Sequence, residues 1–109
     1  MTPNIEIMVR REFVHILDEV SEILDQIDRR LWGSCPAFPC MWVKLTENPH
    51  PGNDREEYVI DRLTGWKCAN WGDLTARTID GIERKVTTLY VTDLGRELIT
   101  AIADYKANK

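Results

Sequence analysis

The chain contains no apolar run of 18 residues, so no stretch reads as a transmembrane helix. Its start lacks the basic-then-apolar pattern of a secretory signal, and a cytoplasmic protein without a membrane partner is expected. Three cysteines among 109 residues is an odd count, which argues against a closed disulfide framework and fits a reducing compartment. There is no internal repeat, no low-complexity segment and no recognisable catalytic or cofactor motif, so neither an enzyme nor a bound cofactor is expected. Basic charge is also short. Fourteen Lys and Arg stand against eighteen Asp and Glu, giving a net charge of −4. The basic residues are scattered, whereas nucleic-acid binders concentrate them into a patch that displaces counterions. Direct nucleic-acid binding is therefore disfavoured, and a protein with a basic surface is the expected partner.

What is present is an ordinary globular composition, 43% hydrophobic and 29% charged. A chain of this length is one domain, 1–109, burying about 65% of its unfolded surface.

The strongest pattern lies in residues 1–33. Phe13, Leu17, Val20, Leu24, Ile27 and Leu31 recur at steps of four and three, one stripe of a helix. Thr2 is a candidate N-cap, Pro3 suits the first helical position, and Gly33 suits a left-handed C-cap. The expectation is a single long amphipathic helix. Glu12, Asp18, Glu19, Glu22, Asp25 and Asp28 lie off the stripe, and no Lys or Arg stands between Arg11 and Arg29. Like charges one turn apart cost a few tenths of a kcal/mol each. Such a run is commonly just a solvated face. Read more sharply, it is a negative ridge that steers toward a groove of Arg and Lys.

Residues 34–40 form a proline-punctuated connector. Residues 40–91 read as an antiparallel sheet region. Strands are expected at 41–46, 57–62 and 66–69, with an exposed loop at 48–54. Two runs rich in Thr, Ile and Val, 74–79 and 82–91, are joined by Asp80-Gly81, which favours a tight hairpin. A short helix over 73–79 capped by Asp73 is the alternative. Residues 92–107 read as a C-terminal helix capped by Thr92 or Asp93, with Leu94, Leu98, Ala101, Ile102 and Tyr105 on its apolar stripe. Gly95 in its first turn costs about 1 kcal/mol relative to alanine. The expected fold is α+β. A long N-terminal helix, an antiparallel β-meander of three to five short strands and a C-terminal helix form two layers, both helices on one face of the sheet.

Cys35, Cys40, His50 and Cys68 are four possible zinc ligands, but only one end of the set has paired spacing, so no metal is expected. A Cys–His nucleophile using His15 or His50 has no local support. The paired acids of the first helix lack the concave setting that acid–base work needs. Trp32, Trp42, Trp66 and Trp71 are core candidates, and Trp is also enriched at binding hot spots. Trp42 alternates with Met41, Val43 and Leu45 and is expected to face away from the helices. Trp42 and Trp66 are the candidate short-range contacts beside the six carboxylates.

The stretch 89–102 (LYVTDLGRELITAI) resembles the end of a MarR-type winged-helix domain, where the last wing strand runs into a helix. The resemblance implies that the Asp80-Gly81 hairpin is the wing and that the chain is a DNA-binding regulator, dimeric through its terminal helices. Between Tyr58 and Leu74, however, no helix-turn-helix can be placed, so the groove-reading element is missing. A looser analogy in function links small acidic α+β chains without catalytic signatures to phage inhibitors such as anti-CRISPR proteins and other DNA mimics. The leading expectation is a non-enzymatic binding module, monomer or homodimer, that docks on a nucleic-acid-binding protein. The alternatives are the winged-helix regulator and a structural subunit of a phage particle or larger assembly.

Overall fold

The computed structural model describes residues 3–36, 38, 41–79 and 81–108. Thr2, Cys40 and Asp80 lie outside the described residues. The elements in order are α1 (Pro3–Ile7), a π-helical turn (Met8–Glu12), α2 (Leu17–Asp28), β1 (Trp32–Ser34), β2 (Val43–Lys44), β3 (His50–Pro51), α3 (Asp54–Gly65), β4 (Ala69–Ile79), β5 (Ile82–Val91) and α4 (Asp93–Ala107). The fold is α+β in two layers. Its sheet is antiparallel in the order β3-β2-β1-β5-β4.

All four helices feed one core. Ile5, Met8, Phe13, Leu24, Ile27, Ile60, Leu63, Leu98 and Ile102 pack with Trp32, Leu89 and Val91 from the sheet. A second, smaller cluster joins Cys35, Val43, Leu45, Ile79 and Val86.

The single N-terminal helix over 1–33 is not formed. The Phe13 N–H donates to Met8 O at 2.8 Å, closing a turn one residue wider than an α-helical one. The chain then leaves helical geometry at Ile16 (φ −135°) before α2 begins. The reason is tertiary: α1 and the wide turn pack on α4, while α2 packs on α3, α4 and β5. One straight rod cannot follow both surfaces.

The helix also ends early. Arg30, not Gly33, takes the left-handed conformation (φ 62°), and Gly33 lies in β1. A Cβ at Gly33 would stand 2.5 Å from Thr87 O, so the glycine serves the close approach of β1 to β5.

The strand expected at 57–62 is helix α3. Asn53 accepts from the Glu56 N–H at 2.8 Å and Glu56 accepts from the Asn53 N–H at 2.9 Å, a complete capping box. Val59, Ile60 and Leu63 then fall on one buried stripe. The strand expected at 66–69 is a turn with Lys67 left-handed (φ 65°), and β4 begins only at Ala69.

The hairpin and the last helix form as expected. Ile79 pairs with Ile82 across a two-residue connection in which Gly81 has φ 77°. Thr92 accepts from the Gly95 N–H at 3.1 Å and caps α4.

Candidate functional site: an aromatic and acidic face between α3 and β4

The six carboxylates read from the sequence do not form a continuous ridge. Glu12 sits in the π-helical turn, separated from α2 by the break at residues 13–16. Five of the six, all but Glu22, are met by cations, mostly from distant elements. Glu12 pairs with Arg62 of α3, and Asp18 with Lys106 of α4. Glu19 lies 3.3 Å from Arg55 of α3, Asp25 lies 2.8 Å from Arg29, and Asp28 lies 2.8 Å from Arg96 of α4. Glu22 accepts from Gln26 Nε2 at 3.4 Å and has no ion pair among the described residues. These pairs are exposed and individually worth only about 0–1 kcal/mol. Their effect is on the field: the charge expected to project from helix one is compensated within the molecule.

That compensation uncovers a different acidic site. Arg55 and Arg62 of α3 are engaged by Glu19 and Glu12, and Lys44 stands 3.7 Å from Glu56. Asp54, Glu57 and Asp61 of the same helix have no ion pair among the described residues. Burial is the main cause that drives the Glu57 pKa above the usual glutamate value; the Trp42 N–H bond, next in weight, lowers it, and the repulsion of Asp61, Asp54 and Glu56 adds to the rise.

Trp42 is held by these carboxylates. Its backbone N–H donates to Glu57 Oε1 at 2.8 Å and its indole Nε1–H donates to Asp61 Oδ1 at 2.7 Å. The expectation that Trp42 faces away from the helices is therefore reversed. Val43 and Leu45 enter the second cluster, and Trp42 packs toward α3 and the main core. Its ring meets that of Trp71 with centroids 5.0 Å apart, tilted by 31°. Trp71 is half exposed, as are Met41 and Tyr58, and Leu74 further along β4 is 65% exposed. Trp66 follows α3 and is partly buried against the main core.

Of the sequence-level candidates, the structure thus keeps Trp42 at an accessible face, and adds Trp71, Glu57 and Asp61. The acidic run at 54–61 was visible in the sequence, but as a strand it would have split between two faces.

The remaining candidates disperse. Cys35 lies in the small cluster and Cys68 in the main core, where its thiol contacts Met8 Sδ at 3.5 Å. Burial pushes the Cys68 pKa up to about 12, so the nucleophilic thiolate is suppressed. His15 and His50 are exposed, and His50 Nδ1 lies 3.0 Å from Asn48 O. Among the described residues no group of three or more His, Cys, Asp or Glu is placed to hold a metal. A depression of about 660 Å³ runs between α1 and α4. Its lining offers Asp93, Glu97 and Asp104, the Thr100 hydroxyl, and an Arg96 guanidinium already bound to Asp28. No described helix is long and apolar enough to cross a membrane.

Comparison with protein-family models, curated proteins and solved structures gives no match.

Proposed function

We propose that the chain is a non-enzymatic protein-binding module whose contact face lies between α3 and β4 and whose partner presents a basic surface. The observation that carries this reading is the exposed Trp71 ring packed against Trp42 beside Glu57 and Asp61, carboxylates without an ion pair among the described residues. Indole rings supply contact area at low entropic cost, and the surrounding charge selects a basic surface and speeds encounter. A module seated where a partner holds nucleic acid acts as an inhibitor of that partner. Relative to the ridge expected from helix one, the acidic character is retained but the surface is moved.

The test is quantitative capture from an extract of the source cell, comparing three forms of the protein. Trp71→Ala and the double variant Glu57→Gln/Asp61→Asn, which keeps both Trp42 acceptors, each lower retention of the partner at least tenfold. Glu22→Lys on α2 leaves it unchanged. Loss with Glu22→Lys and none with Trp71→Ala returns the interface to α2 and rejects this face.

A second reading is the winged-helix DNA binder, favoured by one observation. Helix α3 precedes the β4–β5 hairpin directly, where the sequence alone placed no groove-reading helix. Against it, the exposed side of α3 carries Asp54, Tyr58 and Asp61, and its two arginines are tied to Glu19 and Glu12. Phosphates repel such a face. A retarded band with duplex DNA at low salt supports that reading, and its absence at high protein concentration rejects it.

A further inference from the structure

β4 is the outermost strand of the sheet, so one of its edges has no strand beside it among the described residues. Residues 73–78 are exposed on both faces except for Arg77, which is half buried. Alternate residues of such a strand direct N–H and C=O away from its neighbour, and an open edge of this kind is a template for another strand.

We infer that β4 pairs antiparallel with β4 of a second copy of this chain, about a twofold axis at Thr75. The argument is self-complementarity. In that register Thr75 faces Thr75 of the second copy, Leu74 faces Ala76, and Asp73 faces Arg77, the last two pairs occurring twice by symmetry. Thr75 and Arg77 alternate along β4 and so share a side, Asp73 lines the same depression as both, and the opposite charges meet there. Asp73 has no ion pair among the described residues.

The Arg77 guanidinium is held in place, donating from Nη1 to Leu45 O at 3.0 Å and from Nη2 to Thr46 O. Its charge therefore needs little ordering when a second copy arrives. Other registers lose the match. An axis at Ala76 sets Arg77 against Thr75, and an axis at Arg77 sets two guanidinium groups against each other. The bulge between Trp71 and Leu74 ends the regular ladder at Leu74, so the backbone pairing runs over 74–76, Asp73 meets Arg77 through its side chain at the margin, and the short association is concentration-dependent.

The inference stands apart from the proposed partner face, since it concerns the strand edge and is read by mass. Sedimentation equilibrium is expected to show an average mass rising with concentration from 12.6 kDa toward twice that value. Asp73→Arg weakens the association at least tenfold. In a Cys40→Ser background, Thr75→Cys gives a disulfide-linked dimer under mild oxidation and Thr78→Cys does not. A mass of 12.6 kDa at every concentration, or cross-linking through Thr78 and not Thr75, overturns the inference.

Discussion

Replacing Gly95 with alanine is expected to destabilise the protein, although the same change in an isolated helix would stabilise it. Helix propensity alone favours alanine by about 1 kcal/mol. In the fold, a Cβ on Gly95 would stand 2.1 Å from the Cys68 carbonyl oxygen and 2.7 Å from Val91 Cγ1. That oxygen is not free to retreat. It accepts from the Thr92 N–H at 3.0 Å, and the neighbouring Lys67 carbonyl accepts from the Thr92 hydroxyl at 2.6 Å. Overpacking of this kind costs about 3 kcal/mol at its upper range, which leaves a net loss of about 2 kcal/mol. For a domain of this size the loss lowers Tm by about 10 °C. Gly65 is the control, at the end of α3 with nothing within 4 Å of its would-be Cβ. Gly65→Ala is expected to raise stability by about 0.5–1 kcal/mol. Thermal unfolding followed by far-ultraviolet circular dichroism measures both. If Gly95→Ala raises Tm as Gly65→Ala does, the turn between α3 and β4 does not press on α4 as described. That contact bears on the site, because the same turn starts β4 and so sets the position of Trp71.

Two further outcomes follow from single hydrogen bonds. The Trp32 indole N–H, fully buried, donates to Gln26 Oε1 at 2.8 Å. Gln26→Leu leaves that donor unsatisfied and is expected to cost about 1–3 kcal/mol in urea unfolding; no change would mean that the indole finds another acceptor. At Glu57 the raised pKa means that the folded state binds the proton more tightly than the unfolded chain. Its contribution to stability is present below the unfolded value and is lost as pH rises through the folded one. Glu57→Gln, which keeps an acceptor for the Trp42 N–H, is therefore expected to raise Tm at pH 7 and to make no difference at pH 3. A lower Tm at pH 7 would show that the charged hydrogen bond outweighs desolvation and repulsion there.

The parts of the fold that could be read in advance are those specified by neighbours in sequence. Asp80-Gly81 between two Thr-, Ile- and Val-rich runs announces the hairpin, and Thr92 ahead of a four–three apolar stripe announces α4. Helix α3 was legible in the same terms, through Asn53 and Glu56 at capping-box spacing, but the β-like run at 57–62 masked it. The break after Glu12 had no local signal, since the apolar stripe continues through it without a change of phase. The site was less legible still. Glu12 and Arg62, Asp28 and Arg96, and Asp18 and Lys106 are remote in sequence, and their pairing removes the ridge that the N-terminal residues alone suggest.

Sequence by itself determined the acidic character of the protein, the α+β class, the hairpin and the capped final helix, because each depends on composition or on residues a few positions apart. Tertiary structure alone decided which carboxylates keep their charge exposed, which tryptophans stack, and which strand is left at the edge. Those outcomes depend on distances between residues far apart in the chain, which local propensity does not encode.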